Sequence, residues 1–150
     1  MRVLQPRFAV DFAPCPSTGW PEIDAQHADL VGRVAELKSC LSARDLAGAS
    51  AVLTGLIEAT VYHCATEDDL MERSLYPERA AHRMAHDFFI QDLYALSGEL
   101  ADCGLSAVVV DWAGVRVPEW LAFHIETNDA PLVRHLLRSG SSRLTRPSSS

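Results

Sequence analysis

His63 and Glu67 stand four residues apart in a stretch that is otherwise helical in character and apolar. Four residues turn an α-helix by about 400°, so both side chains leave one face. Leu53, Leu56, Ile57, Leu70 and Met71 share that face, which therefore points inward. A buried glutamate costs free energy unless it is paired or bound to a metal. His82 and His86 repeat the four-residue spacing, and Phe89, Leu93, Leu96 and Leu100 continue their stripe. Two histidines at i and i+4 chelate a transition metal well, although the same pair also suits a solvated surface. His27 opens a stripe of Leu30, Val31, Val34, Leu37 and Leu41. His124 lies in another, with Trp120, Leu121, Ile125, Leu132 and Leu136. Asp129 comes five residues after His124, about 140° further round a regular helix. Either the helix is distorted there, with Pro131 as the source, or Asp129 caps a last short helix.

Four helices must position these groups. Asp24 reads as the N-cap of the first, which runs to about Ala43, and Asp45 caps a second over roughly 46–74. Pro77 suits the first turn of a third helix, about 77–101, closed by Gly104 as its C′ residue. Ser106 caps a segment from Ala107 that continues as a kinked fourth helix through Pro118. Gly114, four residues earlier, leaves room for the proline ring. Short connections make this an all-α, antiparallel up-down-up-down four-helix bundle spanning 1–138. Residues 1–23 form an extended, irregular N-terminal arm broken by Pro6, Pro14, Pro16, Gly19 and Pro21 and pinned by Phe8, Phe12 and Trp20. Residues 139–150, rich in serine, form a disordered tail. His135 falls on the His124 face but about 16 Å along the axis, too far to join the same group; it favours the helix dipole instead.

Composition narrows the class of function. The 150 residues suffice for one domain with a real core, at 48% hydrophobic and 22% charged. A net charge of −7 argues against nucleic acid or an anionic membrane as partner. No apolar run is long enough to span a bilayer. The four cysteines, at 15, 40, 64 and 103, lack the spacing of a zinc knuckle or redox pair and read as reduced thiols in a cytoplasmic protein.

Together the four stripes carry five histidines and two carboxylates inward. Leaving seven such groups in a core without a ligand would cost many kcal/mol. They are too many for one ion and suit two, and imidazole with carboxylate fits iron, manganese or zinc. Two octahedral ions offer about twelve positions, of which five histidines, two bridging carboxylates and a bridging oxide or hydroxide leave about one open. One vacancy suits a small diatomic ligand.

The chain resembles the hemerythrin family, and its single-domain bacterial members in particular, over about residues 8–137. The resemblance rests on Trp20-Pro21-Glu22-Ile23-Asp24-Ala25-Gln26-His27, on His63-Cys64-Ala65-Thr66-Glu67-Asp68-Asp69-Leu70-Met71, on Tyr76-Pro77 with His82 and His86, and on Trp120-Leu121-Ala122-Phe123-His124-Ile125 with Asp129. It implies an antiparallel four-helix bundle around a non-haem di-iron centre. His82, His86 and His124 would hold one iron, and His27 and His63 the other. Glu67, Asp129 and an oxo or hydroxo group would bridge them. Dioxygen would bind end-on at the open iron and leave by the reverse path, in a carrier or store that is not an enzyme and is a monomer. Leu30, Trp120, Leu121 and Ile125 would wall a dry oxygen pocket. Cys64 stands where the family commonly has Phe and Ala59 where many members have Tyr, which opens that pocket. The alternatives are a sensor of oxygen, nitric oxide or redox state, and a scavenger of peroxide or nitric oxide acting beside Cys64.

Overall fold

The computed structural model describes residues 15–140. The expected disordered tail lies outside the described residues except for a turn at 139–140, and Phe8 and Phe12 lie outside them altogether. The described part of the arm is 15–20, irregular as expected. The next three residues are not: Pro21 opens helix α1 (Pro21–Ser42) with Trp20 as N-cap residue. Proline is tolerated there because the first N–H groups of a helix have no intrahelical partner. Asp24 therefore caps nothing ahead of itself. Its carboxylate accepts from the backbone N–H of Thr18 (2.7 Å) and Gly19 (3.2 Å) and from the hydroxyls of Ser17 and Thr18. These bonds fold 17–19 back onto the first turn.

Helix α2 (Leu46–Arg73) begins at Asp45, whose carboxylate accepts from the Gly48 N–H at 2.9 Å. Helix α3 (Arg79–Cys103) starts two residues later than expected. Pro77 lies in the preceding turn, where the Arg79 N–H donates to the Tyr76 carbonyl. Gly104 closes α3 with φ of +62°, conformational freedom that a Cβ would restrict. The Ser106 hydroxyl accepts from the Val109 N–H at the next start.

The fourth rod, 107–138, is continuous but not uniform. It comprises α4 (Ala107–Asp111), a π-turn (Trp112–Arg116), α5 (Val117–His124), a second π-turn (Ile125–Asp129) and α6 (Ala130–Arg138). Each π-turn ends just ahead of a proline, Pro118 or Pro131. The N–H groups of Val117 and Ala130 reach back five residues, to the carbonyls of Trp112 and Ile125.

Short turns at 43–45, 74–78 and 104–106 join consecutive helices, giving the up-and-down bundle. Arg44 ties two turns at one end by donating to the Leu105 carbonyl. At the other end His135 donates to the Ser74 carbonyl at 3.0 Å, so it fastens α6 to the α2–α3 turn beyond any dipole role. The interior holds two apolar clusters. The larger includes Leu30, Leu37, Leu53, Leu56, Phe89, Leu93, Leu96, Leu121 and Ile125. The smaller packs Trp20, Ile23, Leu70, Met71, Tyr76, Leu132, Val133 and Leu136 at the end formed by the α2–α3 turn. Among the described residues no helix is long and apolar enough to cross a membrane. The four cysteines are free thiols.

Candidate metal centre

In an up-and-down bundle, the starts of α1 and α3 meet the end of α2 and the end of the fourth rod. That is where His27, His63, Glu67, His82, His86, His124 and Asp129 lie, between the two apolar clusters, each at most 3% exposed. They form two groups that share both carboxylates: Glu67, His82, His86, His124 and Asp129, and His27, His63, Glu67 and Asp129.

The carboxylate oxygens divide between the groups. Glu67 Oε2 lies 3.0 Å from His82 Nε2 and 3.1 Å from His86 Nε2, while Oε1 lies 3.3 Å from His63 Nε2. Asp129 Oδ1 lies 3.0 Å from His82 and 2.9 Å from His124, while Oδ2 lies 2.8 Å from His27 and 3.6 Å from His63. All five imidazoles present Nε2 to the centre. The second π-turn makes this arrangement possible. With i→i+5 bonding, the residue five on lies over its predecessor, so Asp129 returns to the His124 face.

The electrostatics follow from burial and pairing. Burial alone would raise the carboxyl pKa of Asp129, but the imidazoles of His124, His27, His63 and His82, 2.8–3.6 Å away, hold it well below the usual range. Burial and the Asp129 charge likewise oppose ionisation of Glu67, and hydrogen bonds from His82 and His86 pull it below. Burial disfavours charge on His82, yet the nearby carboxylates of Asp129 and Glu67 push it up to about 9. Burial lowers His124.

The arrangement leaves donors without partners. Buried Glu67 Oε1, Asp129 Oδ1 and His63 Nε2 make no hydrogen bond of acceptable geometry, and His86 Nε2 faces His124 Nε2 at 3.0 Å. Unpaired buried polar atoms of this kind cost about 1–3 kcal/mol each. Inward lone pairs on five imidazoles and two split carboxylates fit cations of the iron, manganese or zinc type.

Residues 18–136 match the profile of the hemerythrin HHE cation binding domain. The chain belongs to the hemerythrin family. It is 29% identical over 119 residues to the bacteriohemerythrin of Pseudomonas aeruginosa (strain LESB58), covering 78% of this chain and 74% of that one. It is 28% identical over 109 residues to the bacteriohemerythrin of Stenotrophomonas maltophilia, covering 71% and 68%. The myohemerythrin of Sipunculus nudus is 34% identical over 80 residues, covering 53% and 59%.

Leu30, Leu121 and Ile125 lie in the larger apolar cluster, and half-buried Trp120 packs against it. Cys64 is 5% exposed and belongs to neither apolar cluster. Burial first, then the charges of Glu67, Asp129, Asp68 and Asp87, push its thiol far up, so it is a neutral thiol. Two neighbours, Gln26 and Asp68, were not singled out from the sequence. Gln26 Oε1 accepts from His63 Nδ1 at 2.7 Å, and the Gln26 amide donates to Thr66 at 3.0 Å. Asp68 Oδ1 stands 3.6 Å from His86 Nδ1. Trp120 stacks on His124 (centroids 4.5 Å, 11°) and on Phe89 (3.6 Å, 3°). Only its position immediately before His27 marked Gln26, and a glutamine on a helix flank ordinarily reads as solvated surface.

Proposed function

We propose that this hemerythrin binds dioxygen reversibly, as a carrier or store, at a pair of non-haem iron ions bridged by an oxo or hydroxo group. The observation that supports this is the division of each carboxylate. One oxygen faces the group with three histidines and the other faces the group with two. His82, His86 and His124 would hold one ion, His27 and His63 the other, with Glu67 and Asp129 shared. The second ion would then have one protein ligand fewer, a position that a diatomic ligand could take. When bound, two ferrous ions would supply the pair of electrons that reversible dioxygen binding requires.

The chain's own residues do the rest. Gln26 keeps a proton on His63 Nδ1 and so leaves the Nε2 lone pair directed inward. Leu30, Trp120, Leu121 and Ile125 would wall the oxygen pocket and keep it dry, and buried Cys64, next to His63 in the chain, would complete it. The set is rich in histidine and lacks the Glu-x-x-His pairs of ferritin-like di-iron proteins, which favours a binder over an oxidative enzyme. The net charge of −7 favours a small-molecule ligand over nucleic acid.

Metal analysis with an optical spectrum tests this. Two irons per chain and a visible charge-transfer band that forms in air and disappears under vacuum are expected. One zinc per chain, or irreversible bleaching to a ferric form, would overturn it.

A further inference from the structure

Each of the five imidazoles turns Nε2 to the centre and leaves Nδ1 for the surrounding protein. What stands behind Nδ1 differs between the two groups. Behind His63 runs a chain of neutral hydrogen bonds. His63 Nδ1 donates to Gln26 Oε1 at 2.7 Å, the Gln26 amide donates to the Thr66 hydroxyl at 3.0 Å, and that hydroxyl donates to the Tyr62 carbonyl at 3.2 Å. Every donor points the same way, so Thr66 decides which end of the Gln26 amide faces His63. A flipped amide would set its NH2 group against the His63 N–H.

Behind His86 stands a charge instead. Asp68 follows Glu67 on α2, and one residue turns a helix by about 100°, so Glu67 points inward while Asp68 points towards α3. Its Oδ1 lies 3.6 Å from His86 Nδ1, longer than a hydrogen bond, and both atoms are buried without a hydrogen-bond partner. Its Oδ2 lies 3.7 Å from Nε of exposed Arg83 on α3. Among the described residues no other carboxylate pairs with the outward nitrogen of any of the five histidines.

We propose that Asp68 and Thr66 are positioning residues that set the two ion positions apart: Asp68 strengthens the three-histidine position through His86, and Thr66, through Gln26, gives the two-histidine position a weaker, neutral support at His63. Both roles rest on the two-ion reading above. A carboxylate behind an imidazole fixes its tautomer and raises its basicity as a metal ligand. An interaction with an ionised partner is about twice as strong as one between neutral groups. The amide therefore orients His63 without adding charge, and the carboxylate does both for His86. The difference runs in the same direction as the ligand count, three histidines against two. A divalent ion fills the three-histidine position first and leaves it last.

Cobalt(II), which accepts imidazole and carboxylate donors, is titrated into the chelator-treated protein and followed by calorimetry and visible absorbance. Two steps of unequal affinity are expected, and the weaker one, which His27→Ala abolishes, belongs to the two-histidine position. Asp68→Asn should weaken the tighter step about tenfold and leave the other within about twofold. Asp68→Glu, whose extra methylene reaches across the 3.6 Å gap, should keep the tighter step at its wild-type affinity. Thr66→Val should do the converse of Asp68→Asn, weakening only the two-histidine step, again about tenfold. A wild-type circular dichroism spectrum confirms that each variant folds. Two steps of equal affinity in wild type, or substitutions that weaken both steps alike or neither, overturn these roles while two ions per chain still bind. Fewer than two cobalt ions per wild-type chain would overturn the two-ion reading and these roles with it.

Discussion

Asp129→Asn keeps the side-chain shape and removes the charge that both histidine groups share. In the metal-free protein Asp129 is fully buried and lies within 2.8–3.6 Å of His27, His63, His82 and His124. Removing one partner from a buried charged set costs about 3–5 kcal/mol. Each kcal/mol moves the melting midpoint of a chain this size by about 2–4 °C, so the metal-free variant should melt roughly 12 °C below wild type. The metal-loaded comparison is sharper. Asparagine offers one oxygen where aspartate offers two, and the lost one served one group or the other, so both ions should be held more weakly. His27→Ala, which touches a single group, should leave about one tight ion per chain. Calorimetry of the chelator-treated proteins and iron analysis after dialysis against a chelator measure the two effects. An Asp129→Asn protein that keeps two tight irons and melts like wild type would refute the shared role of this carboxylate.

Gln26→Leu deprives His63 Nδ1 of its 2.7 Å acceptor and should weaken metal binding about 10–100-fold in chelator competition, with the fold intact by circular dichroism. In the metal-free protein His82 is raised to about 9. Its stabilising contribution is therefore complete below an unfolded pKa near 6.5 and is lost as pH rises through about 9, on the order of 3 kcal/mol in urea titrations. Glu67 and Asp129, both lowered, give the opposite limb and weaken the fold in acid. Of the thiols, exposed Cys103 should react with an aromatic disulfide in the folded protein and Cys64 only on unfolding. A fast second thiol traced to Cys64 by mass spectrometry would contradict its burial.

Helices were legible wherever apolar spacing and a cap agreed. Asp45, Ser106 and Gly104 mark ends that the backbone respects. The errors came from residues with two uses. Pro21 breaks a helix in most positions and begins one in the first turn. Asp24 can cap a helix on its C-terminal side or hold a segment on its N-terminal side, and the hydroxyls and amides of 17–19 drew it backwards. Pro77 belongs to the turn, not to α3. For the site, polar residues on apolar stripes could be read singly because burial makes them expensive. How they share oxygens could not, since that depends on the relative rotation of four helices. The Phe89–Trp120–His124 stack was hidden for the same reason, as its rings come from two different helices.

The prolines of the fourth rod show how a visible irregularity can conceal its kind. Pro131 removes the N–H that would reach the Thr127 carbonyl, which the sequence makes plain. A kink, a break and a π-turn all answer that loss. The π-turn wins here because its cost is met locally and its consequence is structural. The Ala130 N–H finds the Ile125 carbonyl, and the Thr127 hydroxyl donates to the Phe123 carbonyl at 2.7 Å. The extra residue in the turn carries Asp129 over His124. In an unbroken α-helix Asp129 would point about 140° away, and the two histidine groups would share Glu67 alone. The five-residue spacing from His124 to Asp129, awkward for an α-helix, is what the π-turn converts into a second shared carboxylate.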